Sequence, residues 1–201
     1  MQALLARIEA LLAAGQGRLL VAIAGPPGAG KSTLAEALVA QLGAQAALVP
    51  MDGFHLDNAI LDARGRRAAK GAPDTFDAGG FEAALHRLKA GGEVIVPVFD
   101  RTLDVSRGSA RVVGSEARVI VTEGNYLLLR DAPWNRLHAL WDVTAFLDVP
   151  MAELERRLIA RWLDHGLDEQ AARARALGND IPNAWRVVEG SAPAEIALRG
   201  V

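Results

Sequence analysis

The chain has 201 residues, 51% of them hydrophobic, with a formal net charge of −2 and no cysteine. That length and apolar content suit one α/β domain, residues 1–201, with a sizeable core. The charge excludes a global basic field for nucleic acid or anionic membrane, and the missing thiols exclude disulfides, thiolate metal sites and cysteine nucleophiles. Arg7 and Glu9 interrupt the first apolar stretch, so no signal-peptide core forms. No uncharged run reaches the ~20 residues of a membrane span. A cytoplasmic protein with no membrane partner is expected.

Leu4, Leu5, Ile8, Leu11 and Leu12 recur at helical spacing and predict a packing helix that stops at Gly15 and Gly17. The apolar run Leu19–Ala24 then predicts a buried strand. It leads into Gly25-Pro26-Pro27-Gly28-Ala29-Gly30-Lys31-Ser32, which fits the phosphate-binding pattern G-x-x-x-x-G-K-[ST]. A helix bearing Leu34, Leu38 and Leu42 follows, so the motif has its required strand–loop–helix setting. The glycines let the loop wrap a phosphate, and the helix start adds unpaired N–H groups and a positive dipole end. Gly25, Gly28, Ala29, Gly30, Lys31, Ser32 and Thr33 are the expected nucleotide contacts. Lys31 would reach the β- and γ-phosphates, and the Ser32 hydroxyl would ligate Mg²⁺.

Ala46–Pro50 predicts a second strand, which opens into Met51-Asp52-Gly53-Phe54-His55. Ligands of open α/β sheets sit off the carboxyl ends of strands, which places Asp52 near the phosphates. A carboxylate there can take the proton of an attacking hydroxyl or hold a metal-bound water; a turn or helix cap is the alternative. His55 fits either a ligand contact or a half-buried structural histidine.

Residues 57–78 lack a clean period. Arg64, Arg66, Arg67 and Lys70 cluster there, ahead of Gly71, Pro73 and Asp74-Thr75-Phe76-Asp77. The stretch reads as a solvated loop or as a substrate-side segment (about 55–80) that closes over a ligand, with Phe76 as its anchor. Phe81, Leu85 and Leu88 mark a helix ending at Ala90-Gly91-Gly92. Glu93–Phe99 reads as a strand interrupted by Pro97, hence an edge or a bulge. It ends at Asp100-Arg101, and Arg111–Val113 can pair back as a hairpin. Arg101 fits a substrate clamp or a surface ion pair.

Arg118–Gly124 is a strand ending in an acid, the Walker B arrangement, with Glu123 the candidate for Mg²⁺. Asn125 and Tyr126 follow. Thr144–Pro150 predicts another strand. The next helix carries Leu154, Leu158 and Trp162 on one face, with Arg156, Arg157 and Arg161 beside it. A second helix from about Asp168 to Leu177 ends at Gly178, so residues 151–178 form a lid pair. Its apolar faces fit either core or a homodimer interface. Asn179–Ala184 reads as a turn and Trp185–Val188 as a last strand.

Strands alternating with helices imply a mainly parallel, doubly wound sheet in three α/β/α layers. Four segments go further than the P-loop: Met51–His55, Lys70–Asp77, Pro97–Arg101 and Val121–Tyr126. In that order and spacing they resemble the uridine kinase, phosphoribulokinase and bacterial-type pantothenate kinase group, over roughly Leu19 to Val188. The branch they resemble most is the small kinases described as "putative fructose transport system kinases". The resemblance implies a P-loop fold with a helical lid, and ATP and Mg²⁺ as cofactors. It implies Asp52 as catalytic base, Glu123 as the acid near Mg²⁺, and Arg157 or Arg161 as lid arginines on the γ-phosphate. It places Asn183 at the adenine pocket and Asp100 and Arg101 on the substrate. The uridine kinase branch carries a hydroxyl residue where this chain has Gly53.

The expected activity is ATP-dependent phosphorylation of a small hydroxylated metabolite. A sugar or sugar-like alcohol comes first, and a nucleoside, pantothenate or glycerate after it. Phe54, His55, Lys70, Phe76, Asp100, Arg101 and Tyr126 would line the acceptor side. A nucleotide-dependent switch is the rival class, but the guanine-specifying N-K-x-D pattern is absent.

Overall fold

The computed structural model describes residues 1–15 and 17–200. Its centre is strand β1 (Leu19–Ala24), every residue of which is buried. Alternate side chains leave opposite faces of a strand. Leu19, Val21 and Ile23 pack with α1 (Gln2–Ala13) and α2 (Lys31–Leu42). Leu20, Ala22 and Ala24 face the opposite core, which includes Phe81, Leu85 and Leu88 of α4 (Ala78–Ala90). A strand covered on both sides needs a continuous apolar run, and Leu19–Ala24 supplies one. Strand β5 (Val119–Gly124) is buried throughout in the same way.

Five strands form one parallel sheet in the order β2-β5-β1-β6-β7, with β2 at Ala46–Leu48, β6 at Val143–Asp148 and β7 at Ile196–Arg199. Helices cover both faces, giving the three-layer α/β/α architecture expected from the sequence. The carboxyl ends of β1, β2 and β5 are adjacent, so the P-loop, Asp52 and Glu123 emerge on one edge.

A separate antiparallel hairpin joins β3 (Val94–Asp100) to β4 (Val105–Val113). Its register shifts between Val96 and Val98. Pro97 lies between them and has no N–H to give a ladder, so the expected bulge is present. The unpatterned stretch before α4 contains one short helix, α3 (Asn58–Ala63), capped by the Asp57 side chain, and several tight turns.

The C-terminal part differs from expectation. The predicted lid pair is α5 (Met151–Asp164) and α6 (Glu169–Arg175), but the second helix does not end at Gly178. It continues through a π-helical turn, Ala176–Asp180, into α7 (Ile181–Gly190). Trp185–Val188 is therefore helical, not a strand. Trp185, Val187 and Val188 have high strand propensity, which tertiary context overrides. Asn183, Ala184 and Val187 are the buried residues of α7, at helical spacing, and Pro182, which has no N–H to donate, lies just past the π-helical turn. The last strand is instead the four-residue edge strand β7. No helix among the described residues is long and apolar enough to cross a membrane.

Candidate active site

The P-loop turns on three glycines with positive φ. Gly30 (φ 93°) caps the start of α2 in the left-handed region. Gly28 (φ 80°) passes so near α5 that a Cβ would lie 3.2 Å from Leu158 Cγ. At Gly25 a Cβ would lie 2.7 Å from the Leu147 carbonyl oxygen. Only glycine fits these places. Lys31 folds back under the loop and is 7% exposed. Its ammonium donates to the Pro26 carbonyl at 2.9 Å and to Asn125 Oδ1 at 2.8 Å. Burial lowers its pKa below the ordinary 10.5, against the opposing pull of Glu123 and Asp52.

Glu123 closes β5 and meets the first turn of α2, where Ser32 Oγ donates to its Oε1 at 3.0 Å. Burial raises the Glu123 pKa above 4.5, opposed chiefly by Lys31. A hydroxyl and a buried carboxylate are hard oxygen donors, which fits Mg²⁺ completing its shell with water and phosphate oxygens. Among the described residues no group of three or more His, Asp or Glu could hold a metal alone. A protein-only metal cage is therefore not what this site offers.

Asp52 lies in the tight turn Met51–Phe54 that follows β2. It faces the same cavity of about 810 Å³ as Lys31, Ser32 and Glu123. Arg101, from the β3–β4 turn, reaches it with Nη2 3.1 Å from Oδ2. Gly53 explains how the turn and hairpin come so close: a Cβ there would lie 2.7 Å from the Pro97 carbonyl oxygen. The Ser106 hydroxyl donates to the Gly53 carbonyl and closes the contact. His55 stacks between Phe76 and Phe99, with ring centroids at 4.0 and 4.5 Å. Burial lowers its pKa, and its Nδ1 lies 2.8 Å from the Asp52 carbonyl oxygen. A carbonyl only accepts, so Nδ1 carries the proton and Nε2 is left as an acceptor.

Gly28, Gly30, Lys31, Ser32 and Thr33 face the cavity, as do Asp52, His55, Lys70, Phe76, Arg101, Glu123, Arg157, Arg161 and Asn183. Other candidates lie elsewhere. Phe54 packs on Phe81 in the core, ring centroids 4.8 Å apart. Tyr126 is fully buried, and its hydroxyl donates to the Gly71 carbonyl at 2.5 Å. Asp100 caps the hairpin turn, accepting from the Thr102 and Leu103 amides at 3.1 Å. Ala29 is 3% exposed within the lid core, its amide donating to the Pro26 carbonyl, and Gly25 lies beneath the loop against Leu147.

The lid arginines differ in what they hold. Arg156 and Arg157 both bind Glu153, which draws that carboxyl down to a pKa of about 2. Arg157 also donates to the Gly28 carbonyl at 3.4 Å. Arg161 lies close enough to Lys31 to depress its pKa. Cavity residues not singled out from sequence include Asp104, Asn125, His165, Arg175 and Asp180. Asn125 directly follows the strand acid, which is the signal that marks it. Asp180 was hidden by the π-helical turn that aims it inward, where Trp162 Nε1 donates to its Oδ2 at 2.6 Å. Burial raises the Asp180 pKa against that hydrogen bond. Arg175 lies over the Trp162 ring, 5.3 Å from its centroid.

A P-loop after a central parallel strand, an acid closing the neighbouring strand and an arginine-bearing helical lid define the P-loop kinase class. Within it, the chain belongs to the phosphoribulokinase / uridine kinase family, whose model matches residues 20–174. It is similar to the YggC protein of Escherichia coli (strain K12), 37% identical over 189 residues that span 91% of this chain and 78% of that protein. It is 34% identical over 197 residues to the "Putative uridine kinase C227.14" of Schizosaccharomyces pombe (strain 972), covering 92% of this chain and 84% of the other. Among solved structures it is similar to a "putative fructose transport system kinase" from Silicibacter sp. TM1040. That pair is 53% identical with a TM-score of 0.87, over 90% of this chain and 89% of the other.

Proposed function

We propose that this protein transfers the γ-phosphoryl group of ATP to a hydroxyl of a small metabolite, a sugar or sugar-like alcohol before a nucleoside, pantothenate or glycerate. The observation that carries this reading is the shared cavity, lined by Asp52 together with Lys31, Ser32 and Glu123, with Asp52 near enough to act on the charges of Lys31 and Glu123. Asp52 accepts the proton of the acceptor hydroxyl as the oxygen attacks in line. Lys31 and Arg161 stabilise charge on the equatorial oxygens, with Arg157 released from Glu153 to join them. Ser32 and Glu123 would hold Mg²⁺, which would supply neutralisation of phosphate charge. Asn183, a buried residue of α7 that lines the cavity, is the side chain this reading offers to the nucleotide base. Closure of α5 to α7 excludes water, which would otherwise compete as nucleophile. A cytoplasmic setting, where ATP is abundant, fits this chemistry.

An ADP-release screen across sugars, nucleosides, pantothenate and glycerate tests the reading. Release that depends on one acceptor class is expected. ATP binding without acceptor-dependent release would overturn it in favour of a nucleotide-dependent switch.

A further inference from the structure

The acceptor end of the cavity holds more positive charge than proton abstraction from an alcohol requires. Arg67, Lys70 and Arg101 line it beside the acids Asp52 and Asp104, while Arg175, over Trp162, is matched by the nearby Asp180. The chain as a whole carries −2, so this surplus is local.

Lys70 is its core. The side chain is 8% exposed, and its ammonium lies 5.1 Å from the Phe99 ring centroid. It donates to Asn58 Oδ1 at 2.7 Å and to the Asp104 carbonyl at 2.6 Å, and its counter-ion is Asp104 Oδ2 at 3.0 Å. Arg67 Nη2 lies 3.6 Å from that same oxygen. Asp104 is an odd partner for a buried cation. Its side chain is 52% exposed at the hairpin tip, and its backbone holds φ 53°. Left-handed backbone is uncommon outside glycine, and Asp and Asn are the residues that tolerate it. Asp104 thus presents one carboxylate to two cations from solvent, while its carbonyl does the bracing, taking bonds from Lys70 and from Asn58 Nδ2.

We propose that the acceptor carries an anionic group, a carboxylate or a phosphate monoester, that takes the place of the Asp104 carboxylate on Lys70 and Arg67. The acceptor hydroxyl then faces Asp52. This rests on the phosphotransfer reading and narrows its substrate to polyhydroxylated acids or sugar phosphates. The exchange is inexpensive. An exposed carboxylate returns to water with little loss, and the incoming anion gains charge-assisted hydrogen bonds against a buried ammonium. The carbonyl contacts of Asp104 remain, so the hairpin need not open.

The test is a calorimetric titration of methyl phosphate and of D-glycerate, with the P-loop saturated by Mg²⁺ and a non-hydrolysable ATP analogue. One of the two should bind saturably, which separates phosphate from carboxylate. Asp104→Asn keeps the backbone preference and the carbonyl contacts while removing the rival charge, and should tighten binding about two- to fivefold. Arg67→Gln should weaken it about tenfold. Because Lys70 is buried, Lys70→Met puts the fold itself at risk, and the half-exposed Arg67 is the safer site. Failure of both anions to bind, or binding that Asp104→Asn weakens or leaves unchanged, overturns the proposal. Acceptor-dependent ADP release with neutral polyols alone would also overturn it while leaving phosphotransfer intact. Absence of ADP release with every acceptor would sink phosphotransfer, and the titration would still decide anion binding.

Discussion

Arg101 Nη2 stands 3.1 Å from Asp52 Oδ2, joining the tip of the β3–β4 hairpin to the turn that closes β2. The guanidinium side chain is 60% exposed and the carboxylate 30%. An ion pair that open contributes no more than about 1 kcal/mol to stability. In the proposed mechanism its value would lie in placing a cation beside the oxygen that takes the proton.

Arg101→Ala should therefore leave the thermal midpoint within about 3 °C of the parent, as expected for a loss of at most ~0.5–1 kcal/mol in a domain this size. The same change should raise the acceptor KM about tenfold, with a smaller fall in kcat. Steady-state kinetics beside a melting curve separate the two effects. An unchanged KM would reduce the pair to surface decoration.

Gly53→Ala probes how Asp52 is aimed. The added methyl would meet the Pro97 carbonyl oxygen at 2.7 Å, and backbone cannot yield as a flexible side chain can. A loss of about 1–3 kcal/mol is expected, from forcing a close backbone contact apart. The turn carrying Asp52 must move with it, so kcat should fall more than nucleotide affinity. Chemical denaturation and ATP titration of the same variant check both parts.

Much of this architecture was legible in the chain. Leu19–Ala24 and Val119–Gly124 read as doubly buried strands because their apolar runs are continuous, and Pro97 announced the bulge. The P-loop pattern and the acids ending two strands named the cavity's centre. Trp185–Val188 misled because β-branched and aromatic residues favour strands, while the helix there is set by packing of Ala184 and Val187 against distant elements. Phe54 and His55 are neighbours with identical context in the sequence. Only the tight turn sends one into the core and the other to the cavity wall. Asp104 and Asp180 carried no local signal, since a hairpin tip and a π-helical turn bring them in.

Phe54→Ala should accordingly act as a core mutation. Truncating a buried phenylalanine costs about 3–5 kcal/mol. The folded fraction should keep a near-normal acceptor KM at low temperature. A KM raised without loss of stability would return Phe54 to the substrate surface.

Glu123 sets a pH dependence of known sign. Burial raises its pKa above 4.5, so the folded chain keeps a proton that the unfolded chain has already released. Raising the pH from 4.5 through the raised value should therefore remove stability from the nucleotide-free protein. Metal binding needs the ionised carboxylate, so Mg²⁺-dependent ATP affinity should change in the opposite sense and weaken as pH falls through that window. Glu123→Gln should flatten both profiles, read by thermal melts and by ATP titration with Mg²⁺.

The most direct measurement is single-turnover phosphotransfer by Asp52→Asn with its acceptor saturating. The carboxamide keeps the size and loses the base, so the rate should fall about 10²- to 10⁴-fold. ATP affinity should stay within about twofold of the parent, since among the described residues Asp52 makes no hydrogen bond to the P-loop and its proposed role is on the acceptor hydroxyl. A variant that turns over at the parental rate would contradict the account at its centre.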